Sequence, residues 1–336
     1  MNYVILVTGL LILVKGADVL VDSASKIAKH LNISSFIIGL FIVAMRTSAP
    51  EASIGIISGI QGTNLITLGD VVGSSIVNIT VVIGVIAIIS PIEADPRLSG
   101  RELLISIFVQ ACLLIMILTN YTLSRMEGVV LLSGMLLFSG YVYKKSKENS
   151  ENEMSSIKSK GEHLNYVETG ESSSLEFEDK IKKAESDTMP KLMILFLIGL
   201  AGLIGGANLA VNSAVQIAHN LGLSETFIGL TVIALGTSLP ELVTCLIAVF
   251  KKEEAIAVGN VIGSNIFNVL FVLGLSGTLH PITVTSDIFF DIISMIGASI
   301  LFFIPVFFFC RISRNIGIIY FTFYLIYLAI KLNGLG

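Results

Sequence analysis

Tryptophan is absent from this 336-residue chain, cysteine occurs three times, and only 14% of the residues are charged, against roughly 25% in an ordinary soluble domain. The scarcity of charge is the most restrictive of these. A chain that is 54% hydrophobic, with a mean hydropathy of +0.87, belongs in lipid rather than water. Cys112, Cys245 and Cys310 all fall inside apolar runs without CxxC spacing, and the four histidines are scattered singly. Nothing points to a disulfide framework or a zinc site. The net charge of −4 includes no basic patch that asks for nucleic acid. The N-terminal apolar stretch is interrupted by Lys15, Asp18 and Asp22 and no small-residue cleavage site follows, so it reads as a first span and not a signal peptide.

What the chain does have is about ten apolar runs, each near the ~20 residues a helix needs to cross a hydrocarbon core. Spans are predicted near residues 3–28, 35–60, 66–90, 101–120, 124–143, 190–218, 226–250, 256–279, 285–309 and 315–332. This is an all-α integral membrane protein. Between the fifth and sixth spans, residues 144–189 are rich in Lys, Glu, Ser and Asn with few large apolar residues, the composition of a disordered loop. The loop divides the chain into halves of five spans, 1–143 and 190–336. An odd number of spans per half makes the second half enter the membrane from the opposite side. Sliding the chain by 190 residues aligns Gly16 with Gly206, Pro50 with Pro240, Gly69 with Gly259 and Pro91 with Pro281 without a gap, and 29 of the 77 pairs from Gly16/Gly206 to Ile92/Ile282 are identical. Inverted repeats place substrate near the bilayer midplane, where the halves meet.

Basic residues set the orientation, since cytoplasmic loops are enriched in Lys and Arg. With both termini outside, Lys26, Lys29, Arg97, Arg101, Lys251, Lys252, Arg311 and Arg314 lie on the cytoplasmic side, with Arg125 and Lys331 on the other. The long loop is then cytoplasmic, in a multi-pass protein of the cell membrane.

Two stretches in each half are too polar for their surroundings. The first pair is Met45-Arg46-Thr47-Ser48-Ala49-Pro50-Glu51 and Leu235-Gly236-Thr237-Ser238-Leu239-Pro240-Glu241. Proline removes a backbone donor and frees carbonyl oxygens upstream. The glutamate after each proline adds a carboxylate at membrane depth, where an ionisable group is costly and functional by default. The second pair runs from Gly69 to Asn78 and from Gly259 to Asn268. Ser74 and Asn78, like Ser264 and Asn268, are four apart and share a helix face. Gly69, Gly73, Gly259 and Gly263 are expected to admit a close neighbouring helix. The four segments offer carboxylate, hydroxyl, amide and backbone carbonyl oxygens, with no thiol or imidazole. All-oxygen ligation suits hard cations such as calcium.

Doubled at one offset, Gly236-Thr237-Ser238-Leu239-Pro240-Glu241 and Gly259-Asn260-Val261-Ile262-Gly263-Ser264-Asn265 resemble the signature repeats of the cation/calcium exchanger superfamily, specifically its sodium/calcium exchanger branch. The resemblance covers residues 16–92 and 206–282. It implies antiport of calcium against sodium, with ions held by Glu51, Glu241, the backbones of Thr47 and Thr237, and the side chains of Ser48, Ser238, Ser74, Asn78, Ser264 and Asn268. It also implies that the first and sixth spans slide to switch access between the two sides. The first repeat departs from the pattern at Arg46, where its mate is Gly236, and at Asp70, where its mate is Asn260; Asn268 stands where some microbial members carry a third acid. Arg46 and Asp70 are expected to pair and so compensate each other's charge.

Two other functions remain open on the residues alone within this class: proton/calcium exchange, because a glutamate is neutralised by a proton as well as by sodium, and calcium binding without transport, because of Arg46. An intramembrane aspartyl protease is disfavoured, since the repeat mate of Asp70 is Asn260, which cannot act as acid or base. The expected partners are calcium, sodium or protons, and the lipid bilayer; no cofactor is called for.

Overall fold

The computed structural model describes residues 2–31, 33–61, 65–164, 188–220, 234–284 and 287–332. They form helices joined by short turns, in the same order in each half. The first half contains α1 (Asn2–Leu31), α2 (Ser35–Thr47), α3 (Ala49–Gln61), α4 (Ile66–Ile89), α5 (Pro96–Asn120) and α6 (Arg125–Leu164). The second contains α7 (Met189–Asn220), α8 (Ala234–Thr237), α9 (Leu239–Phe250), α10 (Glu254–Leu279), α11 (Asp287–Phe309) and α12 (Arg314–Leu332). Among the described residues seven helices are long and apolar enough to span a membrane, eight if α2 and α3, bent by 45° at their junction, count as one. The other two expected spans correspond to α8 with α9, whose approach over 221–233 lies outside the described residues, and to the 19-residue α12.

The segment expected as a loop from residue 144 is helical as far as Leu164. Residues 144–160 contain no glycine or proline, and their Lys, Glu, Ser and Met residues let the helix continue past the apolar part of the span. The rest of the expected loop, 165–187, lies outside the described residues.

Four two-residue strands pair across the repeats. β1 (Ile92–Glu93) pairs with β4 (Arg311–Ile312), and β2 (Thr122–Leu123) pairs with β3 (Ile282–Thr283), both antiparallel. β1 and β4 follow the third and ninth spans, and β2 and β3 follow the fourth and eighth. Each pairing therefore joins two turns on one face of the membrane, as a ten-span count requires. The symmetry extends to single bonds: Ala94 N–H donates to Cys310 O at 3.0 Å, and its mate Val284 N–H donates to Tyr121 O at 2.8 Å. Tyr121 and Cys310 end α5 and α11 with the same left-handed backbone, φ 52° in both.

At the centre lie α4 and α10, the most buried spans. Helix α10 is packed against α2, α3, α4, α5, α6 and α9. The small-residue expectation holds where it can be seen. A Cβ at Gly259 would lie 2.4 Å from Phe36 O, and one at Gly263 would lie 1.9 Å from Leu40 O, so α2 rests directly on these glycines. At Gly69 and Gly73, for which a close neighbouring helix was also expected, no described residue lies within 4 Å of an added Cβ; residues 226 and 230, the repeat mates of Phe36 and Leu40, lie outside the described residues. Helices α1 and α7 cross as intimately: a Cβ at Gly16 would lie 2.3 Å from Leu203 N, and one at its mate Gly206 would lie 2.4 Å from Leu13 N. Backbones this close gain dispersion contact that lipid cannot replace. The outer helices present apolar residues such as Leu136 and Leu137 to the surroundings.

A second duplicated feature ties the outer spans. In the first half, Tyr141 Oη and Lys145 Nζ donate to Glu102 Oε1 at 2.9 and 2.5 Å, joining α6 to α5. In the second, Tyr327 Oη donates to Asp291 Oδ1 at 3.0 Å and Lys331 Nζ to Asp291 Oδ2 at 2.9 Å, joining α12 to α11. Both acids lie in the early part of their helices, so the inverted topology sets the two clamps toward opposite faces. Glu102 is fully buried, and removing only its cation strands a charge. Lys145→Met is expected to cost the solubilised protein about 3–5 kcal/mol, most of it recovered in the Lys145→Met/Glu102→Gln double variant. Thermal unfolding of the three proteins measures this; equal losses in single and double variants would show that the ion pair contributes nothing.

Candidate cation site

The two broken spans bring Glu51 and Glu241 into the interior. Pro50 and Pro240 cannot donate the hydrogen bonds that the carbonyls of residues 46 and 236 would receive in a continuous helix. The break falls at Ser48 (φ −83°, ψ 15°) and at its mate Ser238 (φ −88°, ψ 2°). Beyond each break a new helix starts, with its glutamate in the first turn. Glu51 and Glu241 are each only 1% exposed, and Glu51 stands in the field of the Glu241 charge.

The second pair of segments faces them from α4 and α10. Both helices widen to π-helical geometry at the predicted asparagine, over Asn78–Ile83 and Asn268–Leu273. Such bulges redirect side chains and recur at functional sites. The segments are stitched together across the repeats. Thr47 Oγ1 donates to Asn260 Oδ1 (3.1 Å), Asn78 Nδ2 to Asn265 Oδ1 (3.2 Å), Asn265 Nδ2 to Ser75 O (3.3 Å) and Asn268 Nδ2 to Ser74 Oγ (3.0 Å). The side chains of Thr47 and Ser48, from the first repeat, lie beside the Glu241 carboxylate of the second.

The amide nitrogens are thus used up in bracing, and the oxygens are left over. Among the described residues, eleven buried side-chain polar atoms have no hydrogen-bond partner, and all are oxygens. Ten belong to this cluster: Ser48 Oγ, Glu51 Oε2, Asp70 Oδ2, Asn78 Oδ1, Ser238 Oγ, both carboxylate oxygens of Glu241, Thr244 Oγ1, Ser264 Oγ and Asn268 Oδ1. Unpartnered polar atoms in an apolar interior are costly and rare. A concentration of them, all acceptors apart from rotatable hydroxyls, is what a cation needs.

Of the predicted residues, Thr47, Ser48, Glu51, Ser74, Asn78, Ser238, Glu241, Ser264 and Asn268 are all buried, and Thr237 is half-buried at the end of α8. The expected pairing of Arg46 with Asp70 is not formed. Arg46 is exposed, no ion pair or hydrogen bond joins the two, and Asp70 Oδ2 is buried without a partner. The reason is directional: a helix position next to Thr47, which turns inward, is rotated by about 100° to another face. Sequence reasoning missed Thr244, whose mate is Ile54, and Asn265, whose mate is Ser75. A search for identity under the offset passes over both.

A sequence family model described as sodium/calcium exchanger protein matches residues 1–144 and 191–333, nearly the whole chain outside the expected loop. The chain belongs to the sodium/calcium exchanger family. It is 35% identical over 346 residues to the sodium/calcium exchanger MaX1 of Methanosarcina acetivorans, covering 98% of both chains. It is 31% identical over 277 residues to the inner membrane protein YrbG of Escherichia coli, covering 82% of this chain and 79% of that one. Among solved structures, the sodium-calcium exchanger NCX_Mj soaked with sodium and calcium superimposes with a TM-score of 0.79 at 27% identity, over 98% of this chain and 97% of that one. This exchanger-family chain is accordingly a multi-pass transporter with the ten-span, inverted-repeat fold, and not an enzyme.

Because Arg46 and Asp70 do not touch, their contributions to calcium binding are expected to be independent. The effects of Arg46→Gly and Asp70→Asn on calcium affinity should add to within about 0.5 kcal/mol in the double variant. Titration calorimetry on the four proteins reads the coupling; a value above about 1 kcal/mol would mean that the two side chains do meet.

Proposed function

We propose that this exchanger moves calcium against sodium across the cell membrane by alternating access, at one midplane site shared by the two repeats. The ligands in this reading are the carboxylates of Glu51 and Glu241, the side chains of Ser48, Ser74, Asn78, Ser238, Ser264 and Asn268, and the backbones of Thr47 and Thr237. The observation that carries it is the set of buried, unpartnered oxygens that both repeats turn toward the two glutamates. Calcium takes about 6–8 oxygens in a flexible shell, which a ring of hydroxyls, amide oxygens and carboxylates supplies. One calcium balances the two glutamates; sodium ions sharing the same oxygens balance them equally, so each ion displaces the other.

Access switches, in this reading, when α1 and α7 move as a pair. They are symmetry mates whose backbones meet at Gly16 and Gly206, and so close a crossing suits them to travel together. The termini lie outside and residues 144–189 link two five-span units on the cytoplasmic side. Arg46 is compatible with transport, since its exposed side chain forms no ion pair with either glutamate.

Changing either Glu51 or Glu241 to Gln should lower sodium-dependent calcium uptake into proteoliposomes by at least about a hundredfold, since each change removes half of the paired charge and an oxygen ligand. Normal uptake in both variants would place the site elsewhere, and uptake driven by a proton gradient without sodium would replace sodium with protons as the coupling ion. Deleting most of residues 150–186 behind a flexible linker should preserve insertion and exchange, because both repeats lie outside it. Loss of transport in a correctly inserted deletion variant would show that the linker takes part.

A further inference from the structure

The reading above leaves Asp70 without a role, and the repeat shows what sets it apart. Its mate Asn260 is a brace. Fully buried, Asn260 accepts from Thr47 Oγ1 at 3.1 Å and donates its amide nitrogen to Cys245 Sγ at 3.3 Å, so both ends of its side chain are engaged. In the first repeat the brace has lost both halves of its nitrogen contact. Asp70 has no amide hydrogen to give, and the mate of Cys245 is Gly55, which has no side chain to receive one. The room a thiol would need is taken as well, since a Cβ at Gly55 would lie 2.8 Å from Val272 Cγ1 on α10.

Asp70 is therefore a carboxylate for which the described residues supply no partner. Its Oδ2 is buried and unpartnered, and no hydrogen bond or ion pair to it is found among the described residues. Arg46, the basic residue whose charge best matches it in this repeat, points elsewhere. Yet Asp70 lies one and two helical turns before Ser74 and Asn78 on α4, on the face those residues turn to the site, and its charge acts on both Glu51 and Glu241. Three mutually repelling carboxylates in a membrane interior are tolerable only where bound cations or protons offset them.

We propose that Asp70 is a third cation-ligating carboxylate of the site, contributed by the first repeat alone, and that it favours loading by several monovalent ions over loading by one divalent ion. The proposal rests on the exchanger reading. One calcium balances Glu51 and Glu241 and leaves Asp70 uncompensated, whereas one sodium ion per carboxylate balances all three. The asymmetry between Asp70 and Asn260 thereby sets how strongly sodium competes with calcium.

The test is equilibrium binding of radiolabelled calcium to the purified full chain in detergent, with sodium as competitor. Asp70→Asn should raise the sodium concentration that displaces half of the calcium by about tenfold or more and make the displacement curve shallower, while Asp70→Glu, which keeps the charge, restores the parent curve. If Asp70→Asn does not give a monodisperse protein, Asp70→Ser is read in the same way. Half-displacement at the parent's sodium concentration, or an Asp70→Glu protein that behaves like Asp70→Asn, would overturn the assignment. A parent chain that binds calcium but shows no sodium-driven flux in vesicles would overturn the exchanger reading alone, because this comparison is made at equilibrium on purified protein. A parent that binds no calcium would overturn both.

Discussion

Three buried carboxylate oxygens without hydrogen-bond partners, one on Glu51 and two on Glu241, are the constraint on which the rest of this structure turns. Glu51 and Glu241 repel each other and are desolvated, so the fold has to hold them in place with energy drawn from elsewhere. It does so through helices that pack on glycine. Gly259 and Gly263 let α2 lie on α10 with backbone in contact, and Gly16 and Gly206 do the same for α1 and α7. Packing that close cannot easily relax, which keeps the broken ends of α2 and α8 from closing over the carboxylates.

The division of labour between nitrogen and oxygen follows from the same constraint. Each bracing asparagine has one donor group and one acceptor. Asn78, Asn265 and Asn268 spend their nitrogens on partners in the other repeat, and Asn78 and Asn268 keep their oxygens unpaired. The braces that join the halves are thus the devices that orient lone pairs inward. A hydrophobic replacement would remove both functions at once.

Duplication accounts for the architecture more fully than it accounts for the site. The cross-repeat strands, the matching left-handed ends of α5 and α11 and the two acid–tyrosine–lysine clamps follow the symmetry closely. Around the site the symmetry is broken, at two positions with a change of charge and at two without: Asp70 against Asn260, Arg46 against Gly236, Gly55 against Cys245 and Ser75 against Asn265. A scaffold gains from repeating a solution that works.

The linear sequence determined what depends on composition and spacing: the membrane environment, the repeat, the proline-glutamate breaks and most of the oxygen donors. Those properties are local, since hydropathy, a missing N–H and a four-residue spacing act within one or two helical turns. The tertiary structure alone decided which side chains meet. It turned Arg46 outward and left Asp70 without it, because neighbouring positions on a helix point about 100° apart and only packing fixes which of them faces the core. It also brought Thr244 and Asn265 into the cluster, and paired Tyr141 and Lys145 with Glu102 some forty residues away. Contacts of that kind depend on how helices from distant parts of the chain lie together, and no short-range pattern encodes them.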